Sequence, residues 1–220
     1  LPSSALLAGR RRVTWTGPAL VLGNAVPLLG VLFFEWDTFL VVYLFWCENL
    51  ILGVCNLLRM AFACGEDGIA QHIVKPIAAV FFLVHYGMFT VAHGSVILTI
   101  FGEERLGWEN AMFGSDFFGP VTEGLIQLWP EIWVGFAALS ASHLFSFFVN
   151  YLGGGEYRRT KVEDTMTQPY RRVVVLHLAV CFGALAVAAA GNLVGLLALL
   201  VVIKTAVDLR AHWKEHAVHA

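Results

Sequence analysis

Apolar residues run through this chain in six stretches of about twenty, separated by short polar or glycine-rich links. An α-helix rises 1.5 Å per residue, so about 20 apolar residues cross a hydrocarbon core about 30 Å thick. The pattern predicts helices near 16–35, 38–63, 73–101, 129–152, 169–190 and 192–213. That is an all-α bundle of six transmembrane helices, and 220 residues then hold a single membrane domain. Asp37 and Thr38 mark a sharp first turn, with Trp36 as an interfacial anchor. Gly65, Glu66, Asp67 and Gly68 break the second helix from the third, Gly153 to Gly155 end the fourth, and Gly191 with Asn192 makes a short hairpin. Pro27 and Pro76 fall near helix starts and are candidate kinks. Residues 102–128 form an outer connection that is both acidic and aromatic, with Trp108, Phe113, Phe117 and Phe118, and are expected to lie on the membrane surface.

Polar side chains interrupt the apolar stretches at Glu48, His85, His143, His177, Lys204 and Asp208. An ionised side chain near the bilayer centre costs about 2.5–3.5 kcal/mol on insertion scales. For Glu48, Lys204 and Asp208 together the uncompensated cost is on the order of 9 kcal/mol, comparable to a whole domain's stability. These residues must therefore face one another, a wet cavity, a metal or a cofactor. Counting along each helix places five of them within a slab about 7 Å thick. Helical phase adds stripes: Glu48, Cys55 and Arg59 on helix two, His143, Ser146 and Asn150 on helix four, and Lys204, Asp208 and His212 on helix six. His85 and His93 share a face of helix three, with Gly87 and Gly94 allowing close packing. The stripes are expected to line one interior seam, on which Glu48, His85, His177 and Asp208 converge. Arg59 and Tyr170, near the ends of their stretches, read as interfacial anchors.

Charge sets the orientation. With both termini cytoplasmic, twelve of the fourteen Lys and Arg residues fall on that side, only Arg105 lies outside, and Lys204 is within a span. Arg10, Arg11 and Arg12 follow a short apolar stretch, the reverse of a signal peptide's order, and read as a cytoplasmic lead-in. A composition of 58% hydrophobic and 14% charged residues, with mean hydropathy +0.72, lies well outside the soluble range. No basic tract with interleaved aromatics points to nucleic acid. Cys47, Cys55, Cys64 and Cys181 lack CxxC spacing and read as buried free thiols.

Imidazoles and carboxylates are ligands for zinc, iron or copper, so a divalent transition metal is the leading expectation. His85, His177 and His143 with Asp208 are the candidate ligands, and Lys204 and Glu48 the candidate catalytic groups, Lys204 as an acid/base or oxyanion partner. A metalloenzyme acting on a lipid or another apolar small molecule would fit. Two other classes use the same residues: a proton-coupled transporter or channel with the cluster as a relay, and a haem protein with His85 or His93 facing His143 or His177. A subunit whose polar seam serves only packing is a fourth. The chain holds no HExxH, Walker A or GxSxG motif, and no internal repeat supports an inverted-repeat transporter.

The strings WCEN (46–49), HYGMFTVAHG (85–94), PYRRVVVLHL (169–178) and KTAVDLRAHWKEH (204–216) resemble an uncharacterised family of bacterial multi-pass membrane proteins, a domain of unknown function. The resemblance spans nearly the whole chain. It implies a bacterial inner-membrane location and supplies no activity, substrate or catalytic residue.

Overall fold

The computed structural model describes residues 26–65, 69–107, 117–167, 169–170, 173–174, 177–178, 182, 194–195, 197–203 and 205–206. These are helical throughout, apart from short turns, and contain no strand. Residues 26–34 are the described part of α1, which ends at Glu35 in the left-handed region (φ 55°). The Trp36 N–H then donates to the Gly30 carbonyl, and its indole lies over the bare Gly30 backbone. Asp37 caps the next helix by accepting from the Leu40 N–H at 3.1 Å. Arg105 binds both Asp37 and Glu131, which ties this cap to a later helix.

Helix α2, Thr38–Phe62, is the innermost helix, with Phe39, Tyr43, Trp46, Cys47, Glu48 and Met60 all buried. Helix α3, Ile69–Val96, passes through Pro76 and continues as a π-helical turn, Ile97–Phe101. After the short α4, Glu103–Leu106, helix α5 runs Gly119–Ser146 and widens into a second π-helical turn, Phe147–Gly153. Gly155 takes a left-handed conformation (φ 73°), and a 3-10 turn, Glu156–Arg158, leads to α6, Val162–Thr167. Among the described residues, three helical stretches are long and apolar enough to cross a membrane: Thr38–Phe62, Ile73–Phe101 and Gly119–Gly153.

Helix boundaries differ from the sequence reading at three places, the first being α3, which begins at Ile69 rather than near 73. Residues 102–128 are not one surface connection, because α5 begins at Gly119, ten residues before the predicted 129. Pro120 suits the first turn of a helix, where its missing N–H is no loss. Val121, Gly124, Leu128 and Ile132 then bury one stripe at helical spacing. The segment after Gly155 also holds the unforeseen α6, whose Val162 packs under α2 and α3. There the Cys64 N–H donates to Tyr157 and the Gly65 N–H to Thr160, closing the end of the bundle.

Side-chain contacts fix the relative helix directions. Trp46 Nε1 donates to the Thr90 carbonyl at 2.8 Å and the Tyr86 hydroxyl to the Asn49 carbonyl at 2.9 Å, so α2 and α3 are antiparallel. Glu48 meets His143, and the Tyr151 hydroxyl donates to the Arg59 carbonyl at 2.7 Å, so α2 and α5 are parallel. His85 meets Tyr170 and His93 meets His177, so α3 runs parallel to the segment beyond 169. Apolar clusters pack both ends, one around Tyr43, Trp46, Leu98, Ile132 and Leu197, the other around Met60, Phe82, Tyr86 and Val173. Polar contacts occupy the level between them.

Candidate functional site

Glu48 lies ten residues into α2, on the face that also carries Cys55 and Arg59. Its Oε1 is 3.2 Å from His143 Nε2, and the two side chains are 11% and 22% exposed, so the contact is largely dry. Below it a cavity of about 390 Å³ opens between α2 and α5, lined by Leu52, Cys55, Asn56 and Arg59 from α2 and by His143 and Ser146 from α5, with Pro169 closing one side. The two stripes of the sequence reading face each other across this space. Arg59 stands eleven residues beyond Glu48, about 16 Å along the helix. Its guanidinium carbon lies 5.5 Å from the centre of the Tyr151 ring, and its Nε is buried with no hydrogen-bond partner.

The π turn of α5 makes this arrangement possible. In a regular α-helix, eight residues turn through about 800°, leaving Tyr151 about 80° from the face of His143. The wider turn from Phe147 to Gly153 rotates less per residue, which brings Tyr151 back toward α2. Both residues then meet the same neighbour.

Across α3 lie two more contacts. His85 Nδ1 is 2.7 Å from the Tyr170 hydroxyl, with its ring stacked on Phe81. His93 Nε2 is 3.1 Å from His177 Nδ1, while His93 Nδ1 is 2.6 Å from the Phe89 carbonyl. A carbonyl only accepts, so the His93 proton sits on Nδ1 and its Nε2 offers a lone pair.

The expected ligands therefore separate. Glu48 and His143 come together, but His177 meets His93 and His85 meets Tyr170. His85 and His93 are eight residues apart, about 12 Å along α3, so the polar level is thicker than the 7 Å read from counting. Among the described residues no group of three or more His, Cys, Asp and Glu is placed to hold a metal. Asp208 and Lys204 lie outside the described residues, as do His212 and Cys181. Gly94 allows the close packing expected of it, with the Trp46 ring 2.5 Å from where its Cβ would stand, whereas Gly87 faces open space. Cys47 and Cys55 are buried thiols, but Cys64 is exposed.

Sequence reasoning gave His93 only as an alternative haem ligand on the face of His85, and it set two other participants aside. Arg59 lay on the Glu48 stripe yet read as an anchor, as did Tyr170.

Helices of spanning length with polar contacts at mid-length define the class: an all-helical chain with apolar helices fit to cross a membrane. The chain belongs to a family of unknown function (DUF6498), which it matches over residues 6–220. No curated protein and no solved structure matches it.

Proposed function

We propose that this protein is a six-span membrane protein, with both termini cytoplasmic, that couples proton exchange at Glu48 and His143 to a small molecule held in the adjoining cavity. The observation that carries this reading is the buried Glu48–His143 contact at the head of the cavity. A carboxyl and an imidazole at hydrogen-bond distance can share one proton in either direction, with the pair neutral overall both ways. One further proton gives the pair a positive charge, and that change is felt directly by whatever occupies the cavity. Exposed Ile73, Ile77, Val80, Phe81, Val84 and Met88 along α3 form an apolar face suited to lipid rather than water.

Reconstituted protein in liposomes with a trapped pH dye tests this directly. Under a potassium diffusion potential, wild type should carry protons at least about ten-fold faster than Glu48→Gln or His143→Asn, since each variant removes a relay group. Flux no faster than protein-free liposomes would sink the reading.

The His93–His177 contact supports a second reading, metal binding. Zinc–nitrogen bonds of about 2.0–2.1 Å at a tetrahedral centre set two imidazole nitrogens about 3.3 Å apart. The observed 3.1 Å is close to that, and the Phe89 carbonyl orients His93 as an outer partner orients a metal ligand. A direct hydrogen bond from His177 satisfies the same geometry. Asp208 is the remaining proposed ligand there, with Lys204 as an acid/base. A haem would have to part the two rings. Elemental analysis decides: stoichiometric zinc, iron or copper in wild type should fall by more than half in His93→Asn or His177→Asn, and equal content in all three removes these residues as ligands.

A further inference from the structure

We propose that the Arg59 end of the cavity binds an oxyanion, a phosphate or carboxylate group of the molecule that the cavity holds. The proposal rests on the reading of the cavity as a ligand site and adds the chemical class of the ligand. Arg59 is permanently charged and lies three residues before the end of α2, in a stretch of spanning length. Among the described residues the ion pairs are those of Arg105 and of His143, and none involves Arg59. Its Nε is buried without a hydrogen-bond partner, and Arg59 lines the cavity wall. The two Nη groups at the tip of the guanidinium can take a carboxylate or phosphate with two parallel hydrogen bonds.

The fork is also held in place. The Tyr151 ring supports the guanidinium, and the Tyr151 hydroxyl is fixed on the carbonyl of Arg59 itself. Asn56 and Ser146 line the same space; the Asn56 amide reaches only the Met60 sulfur at 3.8 Å, a weak acceptor that leaves donor capacity for a ligand. The Glu48–His143 pair at the opposite end is neutral overall, so the oxyanion belongs at the permanently charged Arg59.

The experiment uses the intact chain in neutral detergent, with thermal unfolding followed by tryptophan fluorescence. Sodium phosphate, sodium acetate or phosphatidylglycerol is added, with sodium chloride at matched ionic strength and phosphatidylcholine as blanks. Saturable stabilisation by phosphatidylglycerol alone assigns the oxyanion to a lipid headgroup; stabilisation by phosphate or acetate assigns it to a soluble molecule. Either result supports the proposal when Arg59→Gln weakens the response at least about ten-fold, as loss of a bidentate charged contact requires, and Arg158→Gln does not. No response to the three probes, or equal responses in wild type and Arg59→Gln, overturns it, as does equal loss in Arg158→Gln. Should Arg59→Gln fail to fold, Ser146→Leu fills the cavity and keeps the charge: loss of the response supports the proposal and an unchanged response overturns it. Glu48→Gln abolishes proton flux yet keeps the oxyanion response, so the two readings fail separately.

Discussion

Glu48 and His143 show how one residue's environment decides its role. A carboxylate buried in an apolar helix is costly unless something offsets the lost hydration, and the imidazole 3.2 Å away does so. Removing His143 should therefore cost more than its own packing. We expect a double-mutant cycle between Glu48→Gln and His143→Leu, read by unfolding in detergent, to give a coupling of about 1–3 kcal/mol. Strictly additive costs would show that the two groups do not sustain each other. Depth and helical phase marked both residues in the sequence, because each stands near the middle of an apolar stretch on a polar stripe, but not their pairing, since the expected convergence was of Glu48 with His85, His177 and Asp208. The pairing of His93 with His177 was one of four histidine pairings open in the sequence, and nothing there chose it. It depends on how far α3 is shifted against the segment beyond 169, and residue spacing within one helix carries no information about that shift. Arg59 misled for a similar reason: its position near a helix end suits an anchor, and only the π turn that brings Tyr151 beneath it makes it part of a cavity.

At the scale of helices, α2 and α3 pack where Gly94 meets the Trp46 ring. That ring is fully buried and held by its hydrogen bond to the Thr90 carbonyl, so it cannot swing aside. Glycine inside a helix is ordinarily about 0.5–1 kcal/mol worse than alanine. Gly87, with nothing near its absent Cβ, should follow that rule, and Gly87→Ala should raise stability by about that amount. Gly94→Ala should do the reverse and lower it by about 1–3 kcal/mol through overpacking. Unfolding midpoints of the two variants test the contrast; a stabilised Gly94→Ala would mean that the contact yields. The small-residue spacing was readable, but which glycine faces a neighbour follows from the rotation of α3. Helix ends divide the same way. Asp37 at the first turn and Gly153 to Gly155 at the end of the fourth stretch are local chemistry and stand where the sequence puts them. The start of α5 at Gly119 was obscured because the aromatic and acidic residues before 129 resemble a surface connection, although Val121, Gly124, Leu128 and Ile132 already carried the helical period.

For the whole molecule, the directions read from contacts constrain topology more tightly than hydropathy alone. α2 and α5 run one way, while α3 and the segment beyond 169 run the other. If each spans the bilayer, the ends of α2 and α5 near Arg59 and Gly155 lie on the same face. That face receives Arg59, Lys75, Arg158, Arg159 and Lys161, five of the fourteen basic side chains, and the opposite face receives Asp37, Arg105 and Glu131. On the proposed orientation this is the cytoplasmic face, as the positive-inside rule would have it. Six spans require four crossings before the connection at 153–168 and two after it, with a short turn at Gly191 and Asn192 outside. Fusions of alkaline phosphatase and green fluorescent protein can test each step. Phosphatase should be active at Gly114 and Asn192, and the fluorescent protein should light up at Gly155 and at Ala220. Activity at Gly114 with fluorescence at Asn192 would remove the last hairpin and leave four spans with one re-entrant or interfacial segment. Fluorescence at Gly114 would turn the whole molecule over and place the Arg59 end of the cavity outside, where an oxyanion would have to arrive from the other side of the membrane.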